Sequence, residues 1–171
     1  MEGKSTLQDL LGDELLTNSN NAVKKISFND FYCDFQNSGK FVCLYFGAHW
    51  APPCRLFTKS LDERFYKVVN NEKNKVAEVI FVTDDRAPDH FERNFLKMPW
   101  LAIPYEDEHR KQTLKSRFGV CEIPTLVVIS ASDCKVITHD GRDHILEGNE
   151  AIKNWAKSLE QSTQTNDQTV S

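Results

Sequence analysis

The sequence predicts an α/β fold in which helices flank a central mixed β-sheet. Two apolar runs, Phe41–Phe46 and Ala77–Thr83, have the composition of strands that are covered on both faces. Segments with the helical spacing of apolar residues lie between and after these runs, and the predicted order of elements is β-α-β-α-β-β-α. This alternation is typical of a sheet with helices packed against it.

Composition restricts the size, the partners and the location of the protein. The 171 residues are enough for one domain, and the formal net charge of -4 comes from interspersed acidic and basic residues. We therefore expect neither a nucleic-acid partner nor a membrane partner. No apolar run approaches the roughly 18 residues of a membrane span, and Glu2, Lys4 and Asp9 argue against a signal peptide. The expected location is cytoplasmic, and the expected state is a monomer.

The cysteines are odd in number and widely spaced, which is not the layout of a disulfide framework in a small secreted protein. This usage favours a reducing compartment. No two cysteines form a Cys-x-x-Cys pair and the histidines are scattered, so we expect no metal site and no bound cofactor. The five cysteines are Cys33, Cys43, Cys54, Cys121 and Cys134.

The chain divides into three parts by composition. Residues 1–22 read as a leader with short first elements, and they end in the turn-forming cluster Asn18–Asn21. Residues 23–160 form the predicted domain. Residues 161–171 are polar and are expected to be disordered, because Val170 is their one large apolar residue.

The first half of the domain places a loop between a strand and a helix. Ser27–Asp30 offers capping residues for a short helix. The buried strand Phe41–Phe46 continues through Gly47–Trp50 into a helix whose first turn accommodates Pro53, since the backbone donor that proline lacks is unpaired there anyway. Cys54 falls in the same turn.

The second half of the domain begins with a short helix at Ala87–His90 and an apolar, proline-containing loop, Met98–Pro104, which is expected to be stiff and partly exposed. A helix over Glu108–Phe118 is predicted to stop at Gly119. Two strands joined by a short turn then predict a hairpin, and a closing helix buries one face that includes Trp155. The hairpin strands are Pro124–Ile129 and Lys135–Thr138, and the closing helix is Asn149–Leu159.

The residues from Leu44 to Arg55 carry the strongest motif, which includes Trp50-Ala51-Pro52-Pro53-Cys54. With this motif the chain resembles the tryparedoxin and nucleoredoxin branch of the thioredoxin superfamily, whose pattern here is Trp-Cys-Pro-Pro-Cys-Arg. Three further blocks match in order, and the resemblance covers about Asp9 to Leu159. It implies the thioredoxin fold with Pro124 in cis. The blocks are Phe57-Thr58, Met98–Pro104 and Phe118–Leu126.

Ala51 is the one departure inside the motif. In a working relative, a cysteine at this helix start would be a thiolate that attacks a substrate disulfide, and the second cysteine, here Cys54, would resolve the mixed disulfide. Alanine supplies no attacking sulfur, so the ordinary dithiol cycle cannot run. The residues are compatible with a natural loss and with a laboratory substitution.

Two of the remaining thiols could replace the missing nucleophile. Cys54 lies at a helix start beside Arg55, and both features would lower the pKa of its thiol. The simpler interpretation is that Cys54 is half-buried and reacts slowly, because free cysteines are most often buried and inert. Cys121 precedes the Ile123-Pro124 loop, so it is either a resolving thiol or a surface thiol. Cys33 and Cys43 are predicted to fill the core, and Cys134 is predicted to lie in the hairpin turn.

The resemblance also implies a substrate surface. Trp50 and Trp100 would line a groove, although both could equally be packing residues. His49 either tunes a nearby thiol or is a solvated loop residue. The backbone before Pro124 would pair with an extended substrate segment. The predicted substrate-binding residues are Trp50, Pro52, Pro53, Trp100, Ile123 and Pro124.

The resemblance implies a tryparedoxin-like or nucleoredoxin-like thiol–disulfide oxidoreductase for protein disulfides or thiols, impaired at Ala51. Tryparedoxins take electrons from a glutathione-spermidine conjugate, so a low-molecular-weight thiol is a candidate donor, but no residue here identifies it. The alternative is a non-catalytic interaction module with the thioredoxin fold, which needs no accessible thiol. A glutaredoxin-like monothiol enzyme fits less well, because its essential cysteine would stand at position 51.

Overall fold

The two apolar runs predicted as buried strands form the centre of a seven-stranded mixed sheet. This computed structural model describes residues 6–168, and the side chains of residues 6–161. The strand order is β2-β1-β5-β4-β3-β6-β7, in which β5, β4 and β3 are parallel and all other neighbours are antiparallel. The strands are β1 (Glu14–Ser19), β2 (Ala22–Ser27), β3 (Phe41–Gly47), β4 (Ala77–Thr83), β5 (Leu101–Ala102), β6 (Thr125–Ser130) and β7 (Val136–Thr138). The mixed sheet flanked by helices agrees with the predicted fold class.

The helices begin where the sequence supplies caps. Thr6, Ser27 and Asp107 each accept a hydrogen bond from a backbone N–H in the first helical turn that follows. A π-helical segment, Leu61–Tyr66, joins α3 to α4, and a 3₁₀ turn, Ile145–Glu147, follows α7. The helices are α1 (Leu7–Leu11), α2 (Phe28–Phe35), α3 (Pro52–Ser60), α4 (Lys67–Val69), α5 (Pro88–Phe95), α6 (Glu108–Arg117), α7 (Gly141–His144) and α8 (Asn149–Gln168).

The core has two layers because side chains alternate along β3. Phe41, Cys43 and Tyr45 face the layer that contains Phe57 of α3 and Trp155 of α8. Val42, Leu44 and Phe46 face the opposite layer, which is built with α1, α2 and α6. The predicted core position of Trp155 is confirmed, since the residue is buried and its ring lies edge-on to Phe41.

The N-terminal region contributes to the sheet. Leu10, Leu11 and Leu15 are buried in the second layer, so the part of the predicted leader that is described belongs to the folded unit. Asn20 and Asn21 both have positive φ, and this conformation closes the β1–β2 hairpin. These two strands have no clear signal in the local sequence, because β2 is largely exposed on both faces and lacks an alternation of apolar and polar residues. The boundary at residue 23 stays a prediction.

Two further segments differ from the sequence-based expectation. Met98–Pro104 was expected to be a partly exposed loop, but all of it except Pro99 is buried, and β5 adds two of its residues to the sheet. Helix α8 includes residues 161–168, where a disordered tail was predicted, because each added residue extends an existing helix at no nucleation cost. Residues 169–171 of that tail lie outside the described residues.

The closing hairpin is formed by β6 and β7, as the sequence predicts, with Cys134 in the turn at a φ of 61°. Within the described part of the chain, no helix combines the length and the apolar character that a membrane crossing requires.

Candidate active site

The motif lies at the sheet edge where β3 ends and α3 begins. Ala51 is the N-cap residue of α3, with extended backbone angles and no side chain to accept a hydrogen bond, and Pro52 and Pro53 follow in the first turn. The first backbone N–H groups of a helix have no partner inside the helix, and together they attract negative charge. A thiolate at position 51 would be stabilised there. Ala51 has a methyl group instead, and it is 8% exposed.

Cys54 lies below this surface. Its backbone N–H donates to the Ala51 carbonyl oxygen at 2.9 Å, and the residue is 2% exposed. Burial raises the pKa of the Cys54 thiol above its ordinary value, whereas interactions with the Ala48 backbone and the Tyr45 hydroxyl oppose that rise. The Arg142 charge acts in the same direction as these interactions. Burial is the largest influence, so the geometry favours a buried, slow thiol over an activated one.

Tyr45 supports this first turn from the central strand. Its hydroxyl donates to the Cys54 carbonyl oxygen at 3.1 Å and lies 2.9 Å from the Thr58 hydroxyl. These two hydrogen-bond contacts of the Tyr45 hydroxyl hold the first turns of α3 against β3.

Asp85 is the residue that the sequence analysis missed. Its buried carboxylate accepts hydrogen bonds from the His49 backbone N–H at 2.8 Å, the Thr83 hydroxyl at 2.8 Å and the Asn94 amide at 3.2 Å. The Nδ1 atom of His49 lies 3.1 Å from the same carboxylate oxygen that binds its backbone. His49 is therefore anchored, and it is not simply a solvated loop residue.

A signal for Asp85 was present in the sequence. It is the second residue after β4, and β4 is the parallel neighbour of β3. Because the carboxyl ends of parallel strands meet at the same edge of a sheet, polar residues after β4 lie close to the loop after β3.

Trp50 is the exposed aromatic residue of the site. It is 44% exposed, and its indole N–H donates to the Asp84 carbonyl oxygen at 3.2 Å. The Arg86 guanidinium lies 4.6 Å from the ring centroid, and Lys115 holds the Asp84 carboxylate at 2.9 Å. The ring thus has a fixed orientation and a face available for contact.

Trp100 does not join this surface. It is 1% exposed, and its ring lies edge-on to Tyr45 and Tyr66 in the core. A residue buried to this extent offers no area to a ligand in this conformation. Of the two interpretations open for Trp100, the geometry favours packing.

Ile123 and Pro124 approach the motif from the strand next to β3. Their peptide bond is cis, as the resemblance implies. Pro124 is buried, Ile123 is half-buried, and the backbone N–H and C=O of Ile123 make no hydrogen bond within the described residues. Arg142 donates to the Pro124 carbonyl oxygen at 3.5 Å.

An apolar groove of about 450 Å³ begins at the motif and runs between α3 and the segment after α7. Leu56 and Leu146 flank it and are 73% and 61% exposed. Pro52 and Pro53 line the end of the groove that lies nearest to position 51, and Arg142 lines it as well. Arg142, which lines this groove, also donates to the Pro124 carbonyl oxygen of the cis-proline loop.

The other cysteines differ from one another in exposure. Cys121 is exposed, and its sulfur donates to the Gly119 carbonyl oxygen at 3.5 Å. Cys43 is buried, and burial raises the pKa of its thiol far above the usual range. The prediction that Cys33 fills the core is wrong, since this side chain lies on the exposed side of α2. No cluster of His, Cys, Asp or Glu suited to a metal ion occurs in residues 6–168.

A buried strand that leads through a Trp-x-Pro-Pro-Cys loop into a helix, opposite a cis-proline loop, defines a protein of the thioredoxin-fold class. Comparison with known proteins agrees with this class. The model of a family described as thioredoxin-like matches residues 39–136. Mouse nucleoredoxin is 36% identical over 144 residues, which cover 84% of this chain and 30% of the nucleoredoxin.

Solved structures give the same result. Native tryparedoxin I from Crithidia fasciculata has a TM-score of 0.69 at 35% identity, with 85% of this chain and 94% of that chain covered. Tryparedoxin II complexed with glutathionylspermidine has a TM-score of 0.67 at 34% identity, with 82% and 89% covered. The chain belongs to the thioredoxin-like family, in its tryparedoxin and nucleoredoxin branch. It spans about a third or less of the length of the curated nucleoredoxins that it matches.

Proposed function

We propose that this chain is a thiol–disulfide oxidoreductase scaffold for protein disulfides whose dithiol cycle is blocked at Ala51. The observation that supports the proposal is the pairing of an N-cap alanine with a buried second cysteine. The strand, the helix start, the second cysteine and the cis-proline loop are present around position 51. Position 51 alone lacks the atom that the first step needs.

The missing step can be written explicitly. A thiolate at position 51 would attack one sulfur of a substrate disulfide, form a mixed disulfide and release the other substrate sulfur as a thiolate. Cys54, once deprotonated, would attack the sulfur at position 51, expel the second substrate thiol and leave an intramolecular disulfide. A dithiol or two small thiols would then return two electrons. With alanine at position 51 no mixed disulfide forms there. Cys54 is 2% exposed, so a substrate disulfide has little access to its sulfur.

The second candidate function is a non-catalytic interaction module. The unpaired backbone of Ile123 offers one donor and one acceptor to an extended segment of a partner protein. Trp50 and the groove flanked by Leu56 and Leu146 offer apolar contacts next to it. None of these features depends on a thiol, so binding can persist without electron transfer.

The electron donor, the location and the oligomeric state belong to this proposal as well. A low-molecular-weight thiol is the proposed donor for a restored enzyme, and the tryparedoxin II complex shows that a relative binds glutathionylspermidine. The five free cysteines favour the cytosol as the location. A monomer is proposed, with no nucleic-acid or membrane partner and no resident cofactor.

The test compares the chain with Ala51→Cys in the reduction of insulin disulfides by dithiothreitol. Ala51→Cys should reduce insulin, and the chain as written should not exceed dithiothreitol alone. Ala87→Cys is a matched control, because Ala87 is also an N-cap residue followed by proline, at the start of α5. Turnover by the chain as written would show that Ala51 does not block catalysis.

The interaction module is tested by a binding measurement on the chain as written, and the reductase scaffold by the activity of Ala51→Cys. Oxidised insulin B chain is titrated into the ¹⁵N-labelled protein. Shifts centred on Ile123 and Trp50 would support the interaction module, and their absence would refute binding of this segment. The reductase scaffold is refuted if Ala51→Cys stays inactive while it remains folded.

A further inference from the structure

A cavity of about 520 Å³ lies between helix α2, the loop after α4 and the strands β1, β2, β4 and β5. One of its lining residues, Glu78, is the second residue of β4 and pairs in register with Val42, the second residue of β3. The motif, in contrast, follows the last residue of β3. The cavity therefore lies at the opposite end of these strands from position 51.

Glu78 brings a buried carboxylate to this cavity, since only 1% of the residue is exposed. Its Oε1 atom accepts hydrogen bonds from the Tyr66 hydroxyl at 2.9 Å and from the Val79 backbone N–H at 3.0 Å. Its Oε2 atom lies 3.0 Å from Nζ of Lys75. Each oxygen of a carboxylate accepts about two hydrogen bonds, so Oε2 has capacity for one more donor.

Lys75 shows which chemical group this carboxylate accepts. Its side chain is 42% exposed, so the ammonium group reaches the buried oxygen from a loop at the mouth of the cavity. Burial raises the pKa of Glu78, although the charge of Lys75 acts to lower it. The negative charge of Glu78 is therefore only partly compensated by Lys75, and a second cation at Oε2 would stabilise it further.

The remaining walls combine apolar surface with an excess of negative charge. Ile26, Phe31, Phe35 and Leu101 supply the apolar part of the lining. The ionisable side chains of the lining are four carboxyl groups and two ammonium groups: Asp30, Asp34, Glu72, Glu78, Lys73 and Lys75. This combination favours a ligand that has one cationic end and an apolar body.

We propose that the cavity binds a small organic cation, whose primary ammonium group binds Oε2 of Glu78 and whose apolar body packs against Phe31 and Phe35. The ammonium forms a charge-assisted hydrogen bond, and the body removes apolar surface from water. The site is separate from the motif, and it does not depend on the proposed function.

The experiment titrates hexylamine into the ¹⁵N-labelled chain at pH 8.0, where the amine is protonated as a lysine side chain is. Amide shifts should centre on Phe31, Glu78 and Leu101. The expected dissociation constant is about 1–10 mM, which suits a ligand of about seven heavy atoms. 1-Hexanol and hexanoate have the same chain length without the positive charge, and each should bind at least about tenfold more weakly.

Three variants test the role of the carboxylate. Glu78→Gln should weaken hexylamine binding about tenfold or more, because the charge-assisted hydrogen bond is lost. Glu63→Gln is the matched control, since Glu63 is exposed and does not line the cavity, and it should leave the affinity unchanged. Lys75→Met removes the internal ammonium group and should strengthen hexylamine binding about threefold to tenfold.

Equal affinities of the parent and a folded Glu78→Gln for hexylamine would overturn the proposal, as would equal binding of hexylamine and 1-hexanol by the parent. If Glu78→Gln does not fold, Lys75→Met decides together with the 1-hexanol comparison. An affinity for hexylamine that does not rise in Lys75→Met refutes binding at Oε2 of Glu78.

Discussion

The burial of Cys54 predicts a specific order of thiol reactivity in the chain as written. A cysteine with an ordinary pKa of about 8.5 is about 3% thiolate at pH 7.0. Burial raises the pKa of Cys54, so its thiolate fraction is lower than this value, and only 2% of the residue is exposed. Cys33 and Cys121 are exposed in the same chain and serve as internal references. We expect Cys54 to be alkylated at least about tenfold more slowly than Cys121 at pH 7.0.

The assay is a time course with iodoacetamide, followed by digestion and mass spectrometry that resolves each cysteine. A parallel reaction in denaturant should make the rates of Cys54 and Cys121 similar, because shielding is lost on unfolding. Alkylation at pH 8.5 should accelerate Cys54, since the thiolate is the reacting form. Equal rates for Cys54 and Cys121 in the folded chain at pH 7.0 would refute the argument from burial and would restore Cys54 as a candidate nucleophile.

Three further predictions follow from other parts of the structure. His49→Ala should lower the melting temperature by about 2–4 °C, because the hydrogen bond between the imidazole and Asp85, worth about 1 kcal/mol, is lost. His49→Asn retains a side-chain N–H donor and should therefore lower the melting temperature less. Equal melting temperatures for the two variants would contradict this role of the imidazole. Trp155→Ala should lower the free energy of unfolding, measured in urea, by about 3–5 kcal/mol, because it leaves a cavity beside Phe41 and Phe65. A decrease below about 1 kcal/mol would show that the core does not depend on this ring. Burial raises the pKa of Glu78, so the folded chain binds this proton more tightly than the unfolded chain does. The tighter proton binding stabilises the folded chain fully below the pKa that Glu78 has in the unfolded chain. This stabilisation is lost as the pH rises through the pKa that Glu78 has in the folded chain. The side chain in Glu78→Gln has no ionisable proton. The free energy of unfolding of this variant minus that of the parent, measured in urea, should therefore increase from pH 4 to pH 8. A difference that is constant with pH would exclude a raised pKa for Glu78.

Several parts of the fold could be predicted because the signal is local. The strand β3 is an apolar run, β4 is apolar except for Glu78 and Thr83, and the capping residue Ser27 marks a helix start. The motif around Ala51 combines several residues in a fixed order, so its place between a strand and a helix was also predictable. The absence of a nucleophile at position 51 is a property of residue identity and needs no coordinates.

Other parts depended on residues that are distant in the sequence. The exposed strand β2 is held by its pairing with β1, and β5 consists of two residues that are stabilised by neighbours on both sides. Asp85 lies 36 residues after His49 along the chain, and only the parallel pairing of β3 with β4 brings the two together. The position of Asp85 after β4 places it at this sheet edge, but no local pattern specifies the hydrogen bond to His49.

The α/β class, the family resemblance and the missing sulfur at position 51 all follow from residue identity and order along the chain. The tertiary structure decided which of the remaining candidates can meet a partner: Trp50 and Ile123 are accessible, whereas Trp100 and Cys54 are buried. The reason is physical. Residue identity fixes which chemistry is available, but exposure and local charge depend on the packing of segments that are far apart in the chain, and these decide whether a group can react.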